Sequence, residues 1–123
     1  MNLSHLTSEV IGAAIRVHSA MGPGLLESAY RKCLMTDLAL RNLVVDAEVP
    51  VSVSYEGCTV EVGYRIDLLV ETQVVVELKT VPILLPVHRA QLLSYLRLGG
   101  YPVGLLINFH VDRLRDGLQR VVN

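Results

Sequence analysis

The chain has 123 residues, of which 51% are hydrophobic and 19% are charged, and its formal net charge is −1. This length is typical of one domain with a core of its own, so residues 1–123 are predicted to form a single domain. A net charge so close to zero argues against a protein that binds long duplexes through a uniformly basic surface.

No segment has the pattern of a membrane span or of a signal peptide. No apolar stretch reaches the roughly 20 uninterrupted residues that a membrane span needs. The first residues lack a basic region followed by an apolar one. Cys33 and Cys58 are isolated and lack the spacing of metal ligands. These features predict reduced thiols and a cytoplasmic location.

The first third of the chain predicts two helices. Apolar residues recur at helical spacing over residues 7–21, and Thr7 or Ser8 is the expected N-cap. Gly22-Pro23-Gly24 ends this helix, because glycine adopts the terminal conformation and proline cannot continue it. A second helix is predicted over residues 25–41.

The remainder of the chain predicts a mixed sheet with one more helix. Runs of β-branched residues between turn signals indicate strands, and Glu56-Gly57 marks a tight turn. The fold class is therefore α/β, an α+β mixed sheet flanked by helices in the order α-α-β-β-β-α-β, with a short final strand. The predicted elements are strands over 44–55, 58–70 and 74–79, a helix over 88–98, and strands over 103–108 and 120–122.

Three charged residues stand out because they lie in strands that a core would bury. Asp67 follows Tyr64-Arg65-Ile66, and Glu77 and Lys79 end the run that starts at Val74. Buried charges are costly unless they are paired or bind a metal ion. Lys79 is two residues from Glu77, so strand alternation places both side chains on one face.

The polar residues 71–73 predict a three-residue hairpin loop between these strands. Such a loop pairs Val70 with Val74 and places Asp67 opposite Glu77, with Cβ atoms roughly 5 Å apart. Two facing carboxylates beside a lysine are suited to a hard cation, which prefers oxygen ligands. A two-residue loop would put Asp67 on the opposite face. The other interpretation is a structural ion cluster in which Lys79 pairs with one carboxylate.

The spacing of these charges resembles a known pattern. Asp67, followed ten residues later by Glu77-x-Lys79, resembles the core of the PD-(D/E)XK nuclease superfamily, whose fold is restriction-endonuclease-like. Gln91 and Tyr95 match the Gln-x-x-x-Tyr motif of its RecB-like branch.

A third motif points to one family in that superfamily. Residues 24–31, Gly-Leu-Leu-Glu-Ser-Ala-Tyr-Arg, fit the pattern of the GxxExxxR protein family. The resemblance runs from about Leu6 to Val121, which is nearly the whole chain.

The resemblance implies a Mg²⁺ or Mn²⁺ site. Asp67 and Glu77 would bind the cation, with the Leu78 carbonyl as a further ligand. Lys79 would orient the attacking water or stabilise charge that develops on the phosphate. Glu27 matches the acidic residue that, in the superfamily, approaches the metal from the first core helix.

Four further residues have roles by the same resemblance or by position. Gln91 and Tyr95 would position substrate. Arg31 would position Glu27 or contact a phosphate, because residues four apart meet on one helix face. His88 lies one turn before Gln91 on the same side of the helix, and it is a candidate for supporting the site residues without contacting metal or substrate itself.

The function that these motifs imply is a metal-dependent phosphodiesterase, a nuclease that acts on DNA or RNA through attack by a metal-activated water. The alternative is a non-catalytic module that uses a nuclease fold to bind nucleic acid or a protein. A third interpretation is a structural dimer in which the charges form an intersubunit ion network. A homodimer or protein partner is compatible with the first two, and no membrane association is expected.

Overall fold

The apolar runs form five strands and the amphipathic segments form three helices in the computed structural model, which describes all 123 residues. None of the helices is both long and apolar enough to cross a membrane. The helices are α1 (Leu3–Met21), α2 (Glu27–Leu40) and α3 (Pro86–Gly99). The strands are β1 (Val45–Tyr55), β2 (Cys58–Val70), β3 (Val74–Lys79), β4 (Val103–Asn108) and β5 (Leu118–Val122), and a short 3₁₀ helix, Leu114–Gly117, precedes β5.

The five strands form one sheet in the order β1-β2-β3-β4-β5. Only β3 and β4 are parallel, because α3 connects them and returns the chain to the same end of the sheet. All other neighbours are antiparallel. The mixed α and β architecture predicted from the sequence is confirmed.

Two hydrophobic cores cover the two faces of the sheet. The larger core packs α1 and α2 against one face, and it includes Leu6, Tyr30, Leu68 and Leu78. The smaller core packs α3 against the other face. The helices therefore lie on both sides of β3, whose residues 74–78 are all buried. Charged residues at the end of β3 can thus be reached from either layer.

The β1–β2 hairpin extends beyond the rest of the sheet. β3 pairs only with residues 68–70 of β2, so the outer part of the hairpin has no neighbouring strand on that side. Residues 58–65 are exposed throughout. The Glu56-Gly57 turn has positive φ at both positions, as predicted for a tight hairpin.

All three helix starts differ from the sequence prediction, and α2 begins at Glu27 instead of residue 25. α1 begins at Leu3, and its N-cap is Asn2, whose side chain accepts a hydrogen bond from the His5 N–H at 2.7 Å. The prediction that Thr7 or Ser8 caps this helix is wrong, because Thr7 lies inside it and is buried. α3 begins at Pro86, since proline is tolerated in the first helical turn, where its missing N–H has no partner to lose.

Candidate active site

A hydrogen-bonded turn places Glu27 at the first residue of α2. The Tyr30 hydroxyl donates to the Gly22 carbonyl and accepts from the Leu25 N–H at 3.1 Å, so a side chain of α2 holds the turn that precedes it. Gly24 has a φ of 104°, which favours glycine over any other residue. Glu27 is half-buried at this position.

The predicted hairpin register is confirmed between β2 and β3. Val70 pairs with Val74 and Leu68 with Val76, so one further step brings Asp67 beside Glu77. Beyond Leu68 and Val76, hydrogen bonds from backbone N–H groups to side-chain carboxylates take the place of the backbone-to-backbone bonds of the ladder. Glu77 Oε1 accepts the Asp67 N–H at 3.1 Å, and Asp67 Oδ2 accepts the Leu78 N–H at 2.9 Å. These reciprocal contacts hold both carboxylates at the end of the β2–β3 pairing.

The side-chain alternation of β2 shifts by one residue at Asp67. Ile66 packs in the smaller core and Leu68 in the larger core, although residues two apart on a regular strand share a face. In the β1–β2 ladder, the residues on either side of Asp67 pair with β1, but Asp67 itself does not pair with Glu48, which lies opposite it. Glu48 has a φ of 53°. This irregularity places Asp67 where groups from both helical layers can approach it.

Burial and mutual repulsion disfavour the charged forms of the carboxyl groups in this site. Burial and the nearby Asp67 raise the pKa of Glu77 to about 8. Burial and Asp67 also raise the pKa of Glu27, while Lys79 and Arg31 act in the opposite direction. Glu77 and Glu27 are therefore both close enough to Asp67 for its negative charge to raise their pKa values.

A divalent metal ion fits these residues by the chemistry of the donors. Asp67 and Glu77 offer carboxylate oxygens, the ligands that Mg²⁺ and Mn²⁺ prefer, and a cation would offset the burial and the Asp67 charge that raise the Glu77 pKa. No group of three or more His, Cys, Asp or Glu side chains has the arrangement of a metal centre. The donor set that the structure brings together is thus a pair of carboxylates with Glu27 nearby.

Lys79 and α3 form the other side of the site. The Lys79 ammonium donates to Gln91 Oε1 at 3.3 Å, which links the end of β3 to α3. Tyr95, one turn after Gln91, is buried at 5% exposure. Burial and then the Glu77 charge raise the pKa of Tyr95.

Arg31 pairs with partners that the helical spacing does not predict. Its guanidinium lies 3.9 Å from Asp67 Oδ1 and 3.7 Å from Glu48 Oε1. Glu27 and Arg31 are four apart on α2 and close enough for Arg31 to oppose the rise of the Glu27 pKa, although they form no ion pair. The carboxylates that pair with the guanidinium come from the β1–β2 hairpin.

Glu48 is a site residue that the sequence analysis missed. It is 59% exposed and belongs to an edge strand, so its sequence context is that of an ordinary surface residue. Counting from the hairpin turn would not have found it, because a register shift between Val51 and Val53 brings Glu48 opposite Asp67 although the two lie at different distances from the turn.

His88 caps α3. Its Nδ1 accepts the Leu85 N–H at 2.9 Å at the start of the helix. This contact gives His88 a structural role, and a role in supporting the residues of the candidate site stays a prediction.

The structure brings seven of the predicted residues around the end of β3. They come from four elements: one carboxylate from β2, a carboxylate and the lysine from β3, an acidic and a basic residue from the start of α2, and two polar residues from α3. The Leu78 side chain lies in the larger core, and its backbone N–H contacts Asp67. The seven are Glu27, Arg31, Asp67, Glu77, Lys79, Gln91 and Tyr95.

The chain matches one protein-family model, described as the PD-(D/E)XK nuclease superfamily, over residues 4–121. No curated protein and no solved structure matches it significantly. The five-stranded mixed sheet between three helices is consistent with a restriction-endonuclease-like fold. The match covers nearly the whole chain, and this protein therefore belongs to the PD-(D/E)XK nuclease superfamily.

Proposed function

We propose that the protein is a metal-dependent phosphodiesterase, a nuclease that cleaves DNA or RNA. The observation that carries the proposal is that Asp67, Glu77 and Lys79 come together at the end of β3, with both carboxylates bonded to backbone N–H groups and the lysine bonded to Gln91. The oxygen donors for a cation thus lie near an ammonium group. We further propose that the chain is a GxxExxxR family member of the RecB-like branch, and that residues 1–123 act as one domain.

Asp67 and Glu77, with the Leu78 carbonyl, are the proposed ligands of Mg²⁺ or Mn²⁺. Members of this superfamily generally use divalent metals. When bound, such an ion lowers the pKa of a water molecule and offsets the charge of the phosphate. The reciprocal hydrogen bonds to backbone N–H groups orient the two carboxylates before any ion binds, which reduces the reorganisation that binding requires.

The ammonium group of Lys79 is the proposed catalytic group that acts beside the metal ion. The hydrogen bond to Gln91 restricts its ammonium group, and the half-buried setting strengthens its interaction with an approaching phosphate. In this role Lys79 stabilises negative charge that develops on the phosphate, or orients the water that attacks it. Glu27 is proposed to act together with the carboxylates of Asp67 and Glu77.

Gln91, Tyr95 and Arg31 are the proposed substrate-binding residues. The Tyr95 hydroxyl is a hydrogen-bond donor that could contact a phosphate oxygen. Arg31 provides a guanidinium beside Asp67, and guanidinium groups bind phosphate oxygens with paired hydrogen bonds.

A non-catalytic nucleic-acid- or protein-binding module is the second candidate. The ion pair between Arg31 and Asp67 favours it, because this guanidinium already neutralises part of the carboxylate charge without a metal ion. A binding module of this kind would retain nucleic acid in a gel and would never cut it.

The two candidates are separated by cleavage of labelled single- and double-stranded DNA and RNA, with and without Mg²⁺ or Mn²⁺. The wild type is expected to cut only with metal, and Glu77→Ala is expected to lose cutting. Glu61→Ala is the matched control, since it removes an exposed carboxylate of the outer hairpin. The nuclease proposal fails if Glu77→Ala cuts as the wild type does, or if the wild type cuts no substrate.

A further inference from the structure

An open groove lies between α3 and the projecting part of the β1–β2 hairpin. Its volume is about 430 Å³, within the range of roughly 300–1,000 Å³ for small-molecule sites. Val53 and Tyr64 contribute from the hairpin, while Val87, Ser94 and Tyr95 contribute from α3. No residue that lines it is charged. The groove is therefore suited to an uncharged ligand.

The groove is continuous with the candidate active site. Gln91 and Tyr95 line the groove, and the same Gln91 accepts the hydrogen bond of Lys79. Tyr95 also lies within electrostatic reach of Glu77 and Asp67. A substrate with its phosphate at Lys79 would thus place its adjoining groups at the mouth of the groove.

The lining combines aromatic rings with hydrogen-bonding groups. The Tyr64 and Tyr95 ring centroids are 6.0 Å apart and the rings are tilted by 51°. Tyr64 is 45% exposed, so part of its surface is free for stacking, whereas Tyr95 is buried. The Gln91 amide and the Ser94 hydroxyl both donate and accept hydrogen bonds. Flat aromatic ligands with polar edges match this surface.

We propose that the groove binds one unpaired nucleobase of the substrate, stacked on Tyr64 and next to the phosphate that is cleaved. This inference rests on the proposed function and narrows its substrate class to single-stranded DNA or RNA. A base within a duplex is stacked on both faces and paired at its edge, so it reaches such a groove only after it leaves the helix. Stacking also gives affinity without a strongly basic surface, in agreement with the net charge of −1.

The test measures the binding of short labelled strands in the presence of a chelator, so that no strand is cut. The ligands are single-stranded DNA and RNA, the matched duplexes, and single strands from which each base is removed in turn. The variants are Tyr64→Ala, Tyr64→Phe, which keeps the ring, and Tyr55→Ala. Tyr55 is the matched control because it is 70% exposed on the same hairpin and does not line the groove.

We expect single strands to bind more tightly than duplexes, and Tyr64→Ala to weaken their binding by roughly 5- to 150-fold. Tyr64→Phe and Tyr55→Ala should bind as the wild type does. Removal of one base should produce a similar loss, and Tyr64→Ala should add little to it. Because Tyr64 is 45% exposed and lies outside both hydrophobic cores, the alanine variant is expected to fold, which circular dichroism checks.

Three results would overturn the inference: duplexes that bind as tightly as single strands, a folded Tyr64→Ala variant with unchanged binding, or no strand binding by the wild type. A Tyr64→Ala change that converts a dimer to a monomer, with base removal having no effect, would assign the groove to a second copy of the chain. A wild type that cuts while Tyr64→Ala has no effect refutes only the groove. If strands bind in a way that depends on Tyr64 but the wild type cuts none of them, the nuclease proposal is refuted and the binding of a base in the groove is not.

Discussion

The Lys79 ammonium lies 3.3 Å from the side-chain oxygen of Gln91, and this hydrogen bond joins the last residue of β3 to α3. Lysine side chains have many accessible rotamers, and ordering one costs conformational entropy. Gln91 offsets that cost before substrate binds. The position of the Lys79 ammonium group therefore depends on Gln91, a residue of α3.

Gln91→Ala should lower the cleavage rate by roughly tenfold to a hundredfold, because a hydrogen bond to a charged group contributes about 1.5–3 kcal/mol. Gln73→Ala is the control, since Gln73 lies in the loop at the opposite end of β3. Cleavage rates at saturating substrate, with melting temperatures for both variants, check this prediction. Equal rates for Gln91→Ala and Gln73→Ala would contradict it.

Glu77→Gln should stabilise the metal-free protein at alkaline pH. The folded-state pKa of Glu77 is raised to about 8, so the folded protein holds this proton more tightly than the unfolded chain does. The free energy of unfolding of the wild type therefore falls as pH rises from near 4.5 through about 8. The glutamine variant lacks this loss.

The measurement is thermal unfolding of wild type and Glu77→Gln with chelator at pH 5 and at pH 8.5. The melting-temperature advantage of the variant should be small at pH 5 and should reach several degrees at pH 8.5, by about 2–8 °C for each kcal/mol. The same advantage at both pH values would show that Glu77 is not a costly buried charge.

Mn²⁺ should raise the melting temperature of the wild type, because an ion that binds only the folded state stabilises it by about 2.7 kcal/mol at a hundred times its Kd. Asp67→Asn should remove most of this increase. Asp46→Asn, which changes an exposed carboxylate of the same hairpin, should retain it. A metal-dependent increase that survives in Asp67→Asn would place the ion elsewhere.

Glu48→Gln should reduce cleavage by only about twofold to fivefold, as expected for an exposed ion pair of less than about 1 kcal/mol. The physical reason is indirect, since Glu48 lies 3.7 Å from Arg31 and would act by holding its guanidinium. The double variant with Arg31→Ala should be no slower than Arg31→Ala alone. Additive losses would show that Glu48 acts without Arg31.

The sequence predicts the hairpin that forms the site because local signals suffice there. β-branched runs on both sides of the polar residues 71–73 set the loop length, and the loop length sets the pairing of Val70 with Val74. The same reasoning cannot predict the shift at Asp67, because it assumes regular alternation. The positive φ of Glu48 across the ladder depends on tertiary contacts that the residue type does not reveal.

The partner of Arg31 shows the same limit. Helical spacing predicts Glu27, which is four residues away on one helix. It carries no information about Asp67 and Glu48, which lie close to the guanidinium once the hairpin packs beside α2. Pairing across one short loop was predictable, whereas contacts between elements distant in sequence were not.

Lys79→Ala tests the central claim most directly. Lys32 provides the matched control, because it is the other lysine of the chain and is exposed on α2. With Mn²⁺ and the substrate that the wild type cuts, Lys79→Ala should lower the cleavage rate by roughly 10²- to 10³-fold, as loss of a charge-stabilising donor does elsewhere. Lys32→Ala should leave the rate unchanged. Equal metal-dependent cleavage by both variants would contradict a catalytic role for the Asp67–Glu77–Lys79 site.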